Sequence, residues 1–375
     1  MRYRIETDRL GEKQVPAEAY FGIGAQRSKE VYEITKHGLI RQMIKAFANI
    51  KKTAAKTNSD LGFTDKEVAN AIMLSCDEIL NGRLHGQFIT DVVQGGSGRS
   101  MNANANEVIA NRANEIMGGE KGKYDLVSID IVNLNQDVNE VVLLAGKLSI
   151  IRLTKKLLTE AKKLYNAYYD KIEEYHLDVS NNGVAQEINT FGDNLDRNMK
   201  RINGALSSLT EISITVPNLA PEQQAIYVKK FVKYLNQYAS ETVHLSKNVM
   251  DNKRNLDAIA WVSTTLRLLS ADLSKIATDI QIMDKSNRIQ IPEIDTAGRY
   301  VVIEMMKQVS FYVMGNDLTI SRAVEAGEQE ENIFLPIIYA CIFEMCNLIR
   351  RTLRTLREQV VADMILVGYE KNPAQ

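Results

Sequence analysis

The sequence predicts an all-α protein built on long helices, and two observations carry that expectation. Proline is scarce: there are six in 375 residues, with none between Pro16 and Pro217. An interior proline removes a helical hydrogen bond and collides with the preceding turn, so so long a proline-free stretch favours helix. Apolar side chains also recur at helical spacing. Ile150, Leu153, Leu157, Ala161, Leu164, Tyr168 and Ile172 follow one another at threes and fours, while Lys155, Lys156, Lys162, Lys163, Glu173 and Glu174 fill the other faces.

Taken along the chain, a few extended residues near Arg2 to Glu6 read as strand, and the glycine-rich stretch from Gly82 to Arg99 reads as loop. The first long helix is expected from about Val141 to His176. That length suggests a bundle or an oligomer core, because a single apolar stripe must be buried against partners. Glu211 to Val216 offers a second weak strand signal. A helix starts near Pro221, with proline in the first turn, and continues through Tyr234 and Tyr238 towards Val249. Further helices are expected over Asn255 to Met283, Val301 to Val313, and Asn332 past Met345 to about Ala362, the last kinked at Pro336. The chain divides coarsely into a mixed N-terminal domain (1–135), a central long-helix bundle (136–355) and a short C-terminal remnant (356–375).

Composition narrows the function. The formal net charge is −1 and both signs are interspersed, so there is no basic field to hold a nucleic-acid backbone. No apolar run is long enough to span a bilayer, and the N-terminus lacks the apolar core of a secretion signal. Cys76, Cys341 and Cys346 are odd in number and lie in apolar surroundings, which fits reduced core thiols in a soluble, cytoplasmic protein. His37, His85, His176 and His244 are scattered, there is no Cys/His ligand spacing, and no metal is expected. No cofactor is expected either, since no dinucleotide or Walker fingerprint occurs in a strand–turn–helix context.

Several motifs follow one another in a recognisable order. They begin with Arg4-Ile5-Glu6-Thr7-Asp8-Arg9-Leu10-Gly11-Glu12 and Val15-Pro16-Ala17-Glu18-Ala19-Tyr20-Phe21-Gly22. Gln94-Gly95-Gly96-Ser97-Gly98, Asn102 to Asn111, Gly122-Lys123-Tyr124 and Asn133-Leu134-Asn135-Gln136 follow in register. With Gly315-Asn316-Asp317, Glu325-Ala326-Gly327 and Asn332 to Pro336 later in the chain, these motifs resemble the aspartase/class II fumarase lyase superfamily, and the likeness is weak from Ser180 to Met250. The resemblance implies a homotetramer with active sites assembled from three subunits. It also implies an elimination chemistry in which a serine on a mobile loop removes a proton beside a carboxylate, and hydroxyls and amides hold a carbanion-like dicarboxylate.

Compared with that family's site, this chain is altered patch by patch. Where the family reads glycine, a hydroxyl residue, serine and then Asn-Met-Asn, this chain has Gly98, Arg99, Ser100, Met101, Asn102, Ala103 and Asn104. Ser100, Asn102 and Asn104 persist as candidate ligand donors, while Arg99 replaces a hydroxyl by a fixed cation. Arg99 either binds a carboxylate or phosphate, or fills vacated space and pairs with a neighbouring acid; the plainer of the two is the second. Where the family reads Gln-Ser-Thr-Asn-Asp, this chain has Gln136, Asp137, Val138, Asn139 and Glu140. Both hydroxyls are gone, Asn139 can still donate, and Asp137 adds charge that repels a dianion. A salt bridge from Asp137 to Arg99 is the expected structural outcome of that double change.

The family's threonine and proton-relay residue have no counterpart in Ser180 to Glu187. Its serine loop aligns with Ile291-Pro292-Glu293-Ile294 and Ala297-Gly298-Arg299-Tyr300, which bring no serine, lysine or asparagine. Tyr300 and Asp137 are the remaining acid/base candidates, although an aromatic packing at a helix start is the plainer role for Tyr300. The family's small C-terminal domain is also expected to be missing. The resemblance therefore leads to a diverged lyase with a remodelled site for a small anionic or amino-acid-like ligand. An inert scaffold or regulatory member is the alternative, and a conventional aspartate ammonia-lyase or fumarase ranks last, since each lost donor costs about two to three orders of magnitude in rate.

Overall fold

The computed structural model describes residues 2–329 and 331–371. Among them are twelve α-helices and six short strands in three two-stranded pairings. The residues group into two compact units that interleave along the chain. One comprises 1–150, 209–256 and 323–340; the other comprises 151–208, 257–322 and 341–375.

The first unit opens with an antiparallel hairpin, β1 (Tyr3–Asp8) and β2 (Gly11–Pro16), registered from Tyr3 opposite Pro16 to Asp8 opposite Gly11. There follow α1 (Ile23–Val31), α2 (Arg41–Asp60), α3 (Lys66–Leu80), α4 (Arg99–Ile116) and the single turn α5 (Ile129–Val132). α2 buries one broad face that includes Met43, Phe47, Ile50 and Ala54, and packs on α3. α6 (Val138–Glu174) contributes its first turns here, through Ile150. It is the helix expected over Val141 to His176, extended by one turn at its start. Its remainder belongs to the second unit, as does α7 (Gly183–Leu209). α7 was not foreseen from the sequence, although Val184, Ile188, Phe191, Leu195, Ile202 and Leu209 are buried on one face at alternating helical spacings.

Returning to the first unit, β3 (Glu211–Ile212) is only two residues long. α8 (Pro221–Ala239) ends earlier than the expected Val249. Ser240 adopts a left-handed conformation with φ 54°. The Asn236 side chain then captures Val243 at both ends, accepting from its amide at 2.9 Å and donating to its carbonyl at 3.0 Å. The chain turns back into β4 (His244–Leu245), which runs parallel to β3. α9 (Val249–Arg254) follows as a separate helix, capped by the Asn248 side chain accepting from Asp251 N at 3.1 Å.

In the second unit, α10 (Asp257–Lys285) agrees closely with its expected span. β5 (Ile289–Gln290) precedes α11 (Val301–Glu325), which is twelve residues longer than expected at its end. It does not stop at Gly315, because Asp317 is buried one turn on and is held by the Ser263 hydroxyl at 2.6 Å and Arg267 Nε at 2.8 Å. α12 (Leu335–Leu356) begins after Asn332 and shows no proline kink. Pro336 lies in its first turn, where the missing N–H has no helical acceptor to lose. The chain closes with β6 (Ile365–Leu366), antiparallel to β5.

Buried polar groups lock the first unit. Lys51 of α2 is fully buried, and its ammonium donates to Asn133 Oδ1 at 2.8 Å, an oxygen that also accepts from Asn102 and Asn106. Burial pushes the Lys51 pKa down to about 7. The unfolded lysine holds its proton up to about pH 10.4. The penalty for burying the ammonium is therefore fully present below pH 7 and is relieved as pH rises through the interval above it. Urea unfolding at fixed protein concentration should show the wild type gaining about 2 kcal/mol on Lys51→Met between pH 6.5 and 9; a constant difference would refute the assignment. Gly146 of α6 faces the buried Tyr339 ring, which an added methyl would overlap. Alanine in a helix normally gains about 1 kcal/mol over glycine, but overpacking of this kind costs about 1–3 kcal/mol. Gly146→Ala should accordingly be destabilising in the same assay rather than stabilising.

Candidate functional site

The site is built where the loop before α4 meets the start of α6 and the connection into α12, all within the first unit. Gly96, Ser97 and Gly98 take three successive left-handed conformations, with φ of 73°, 58° and 82°. Glycine is needed at 98 for a second reason, since a Cβ there would come within 2.9 Å of Val142 Cγ1. Ser97 is the non-glycine member, and a serine held left-handed stores about 1–2 kcal/mol of strain. It is 1% exposed and its hydroxyl has no hydrogen-bond partner. The turn thus aims Ser97 Oγ into a cleft and starts α4 at Arg99.

Arg99 Nη2 donates to both oxygens of Glu331, each at 3.0 Å. Asn139 Nδ2 donates to Glu331 Oε1 at 2.7 Å. Asn139 Oδ1 is buried and has no partner. Next to Asn139, Glu140 is buried; its oxygens accept from Thr215 N at 2.7 Å and Thr215 Oγ1 at 2.9 Å, and it pairs with Lys253 Nζ at 3.1 Å. Burial raises the Glu140 pKa, opposed by Thr215 and Lys253. Ser97, Asn139, Glu140, Lys253 and Glu331 line one cleft together with Leu143, Leu256 and Leu335. The arrangement is a carboxylate grip beside an apolar wall, with two unsatisfied polar atoms between them.

The expected salt bridge between Arg99 and Asp137 does not form, because each group has another task. Arg99 pairs with Glu331. Asp137 precedes α6, and its Oδ1 accepts the Glu140 amide at 2.9 Å. A carboxylate at that position satisfies an otherwise orphaned amide and the positive end of the helix.

The remaining candidates fall in different places. Ser100 is half-buried in the first turn of α4. Asn102 donates to Asn133 Oδ1 at 3.1 Å, leaving its own buried oxygen without a partner. Asn104 is fully buried with both ends occupied: its oxygen accepts from Ile89 N at 2.8 Å and its amide donates to Gln87 O at 3.0 Å. Tyr300 lies in the second unit, where its hydroxyl donates to Asp284 Oδ2 at 2.7 Å. That bond to Asp284, with burial, raises its pKa, so Tyr300 is a phenol at neutral pH.

Ser97, Lys253 and Glu331 were not picked out from the sequence. A serine between glycines carries a usable signal, since it implies a left-handed turn. Glu331 carries none, being 232 residues from Arg99. Lys253 lies just past the poorly matching middle of the chain.

Comparison with known proteins agrees with the motifs. A lyase family profile matches residues 11–300. Aspartate ammonia-lyase of Bacillus subtilis (strain 168) is 34% identical over 399 residues, covering 99% of this chain and 82% of that protein. Aspartate ammonia-lyase of Escherichia coli (strain K12) is 30% identical over 391 residues, covering 96% and 81%. The solved fumarate lyase:delta crystallin of Brucella melitensis superposes with a TM-score of 0.90 at 29% identity, covering 98% of this chain and 89% of that one. With a family match over most of its length and a shared long-helix fold, the chain belongs to the lyase family, within the aspartase/fumarase superfamily.

Proposed function

We propose that this chain is a lyase with a remodelled active site, acting on a small anionic or amino-acid-like ligand in the C–N or C–O elimination and addition class. One observation carries the reading: Arg99 and Asn139 together hold a carboxylate, that of Glu331, in the cleft beside Ser97. One guanidinium nitrogen shared between both oxygens, with an amide on one of them, seats a carboxylate by charge-assisted hydrogen bonds. Asn139 is thus proposed as a ligand donor; Arg99, paired with Glu331, does what the plainer of its two readings expects, and its role as a ligand-binding cation rests on Glu331 giving way. Ser100 remains a candidate for the polar rim, Asn102 is buried against Asn133 instead, and Asn104 braces the loop that carries the site.

A second reading has specific support. Residues 291–300 contain no serine and no lysine, and Tyr300 is held as a proton donor by Asp284. A chain that binds its ligand without turning it over, as a scaffold or regulator, fits those facts. Absorbance at the fumarate band after adding aspartate or malate separates the two: turnover excludes the inert reading.

The assembly is proposed to be a cytoplasmic homotetramer. Phe311, Met314 and Leu318 of α11 form an exposed apolar row at three- and four-residue spacing, and Trp261 and Ile282 of α10 are also exposed. An apolar row of this kind on a long helix is what an oligomer buries. Light scattering on the eluted protein should give four chains, and Leu318→Asp should lower that number; a wild-type monomer would refute the assembly.

The site itself is tested by a thermal-shift screen of dicarboxylates, amino acids and phosphates. A ligand at a hundred times its Kd adds about 2.7 kcal/mol to the folded state and raises the melting temperature. Arg99→Ala and Asn139→Ala should each abolish most of that rise, since a charge-assisted hydrogen bond contributes about 1.5–3 kcal/mol. A rise that survives both substitutions would place the ligand elsewhere.

A further inference from the structure

We propose that Glu331 is a displaceable internal stand-in for the ligand carboxylate, and that it selects zwitterionic amino acids with an apolar side chain over dicarboxylates. The inference rests on the site reading above in its second form, binding without turnover, because an apolar amino acid has no carboxylate beside its Cβ proton to stabilise the carbanion of an elimination.

Three features of the cleft carry it. The Glu331 carboxylate already occupies the seat, contacting Arg99 at 3.0 Å through both oxygens and Asn139 at 2.7 Å. The pair is open to water, with the Arg99 and Glu331 side chains 58% and 39% exposed, and an ion pair so placed is weakly held. Release needs only a side-chain rotation, because the backbone is anchored separately. Glu331 and Glu328 exchange backbone hydrogen bonds at 3.0 Å, and the neighbouring Asn332 donates to Ala323 O and accepts from Phe334 N, both at 2.9 Å.

Next, the cleft lacks hydrogen-bond partners of a particular kind. Asn139 Oδ1 is buried and can only accept, so it calls for a donor, and Ser97, which lines the same cleft, has a buried hydroxyl without a partner. A ligand ammonium supplies donors to both. Once swung aside, Glu331 is a carboxylate close enough to pair with that same ammonium. Leu143, Leu256 and Leu335 leave an apolar wall for the rest of the ligand.

The charge balance points the same way. Arg99 and Lys253 are offset by Glu331 and Glu140, so the cleft is neutral. A zwitterion leaves it neutral, whereas a dianion makes it doubly negative in a partly dehydrated space.

The test is calorimetric titration of the full-length assembled protein with L-leucine and with succinate. The wild type should bind L-leucine at least tenfold more tightly than succinate. Glu331→Gln should reverse the order, weakening L-leucine and strengthening succinate by about tenfold each. Glu331→Asp, which keeps the charge, should retain the wild-type order and guards against a folding defect in the glutamine variant. Arg99→Ala should weaken both ligands. If Arg99→Ala weakens binding but Glu331→Gln leaves the ratio unchanged, the role of Glu331 is refuted while the site stands. If Arg99→Ala and Asn139→Ala change nothing, or if neither ligand binds to the wild type or to Glu331→Gln, both the site and the inference fall.

Discussion

The Glu107 carboxylate, 3% exposed in the middle of α4, is the contact on which the placement of the site depends. It accepts the amides of Gly22 at 2.8 Å, Gly24 at 2.7 Å and Ala25 at 3.1 Å, which are the orphaned donors at the start of α1. Glu6 accepts the remaining nearby amide, that of Ile23, at 2.9 Å, and Arg4 ties Glu6 to the carbonyls of Pro16, Ala19 and Phe21. Burial pushes Glu107 up to about 7, yet a helix N-terminus is the setting in which a carboxylate is best tolerated. This knot fixes α4 against α1, and α4 in turn presents Arg99 from its first residue. Gly22 admits no side chain because Glu6, Glu107 and the Tyr124 hydroxyl converge on it.

Many of the residues by which the chain resembles its superfamily therefore serve the scaffold. Arg4, Glu6, Gly22, Glu107, Asn111 and Tyr124 belong to one buried polar network, with Asn111 donating to Tyr124 at 2.9 Å and to the Tyr20 carbonyl at 2.8 Å. Such a network has to be satisfied as a whole or not at all, because a single orphaned member in a low-dielectric interior is costly. This accounts for a scaffold shared with aspartate ammonia-lyases, since packing and satisfied polar groups constrain it.

The cleft itself is organised by charge. A cation at 99 and an anion at 331 find one another across the fold, and an acid at 137 turns inward to cap a helix. The result is a carboxylate, that of Glu331, held by a guanidinium and an amide.

The sequence by itself determined the all-α class, the superfamily and the approximate spans of the helices at 138–174 and 257–285. Those follow from proline scarcity, apolar periodicity and ordered motifs, all of which are local. It was less able to mark where helices stop. The early end of α8 depends on Asn236 gripping Val243, and the continuation of α11 past Gly315 depends on the buried Asp317, neither of which is a periodicity signal. In the cleft, Arg99 and Asn139 stood out in the sequence because they occupy motif positions. Their common partner was not, because Glu331 reaches them only through tertiary folding, from 232 and 192 residues away. Only the tertiary structure decided that Arg99 faces Glu331 and not Asp137: a salt bridge is chosen by three-dimensional distance and by what else each charge can satisfy, and sequence spacing reports neither.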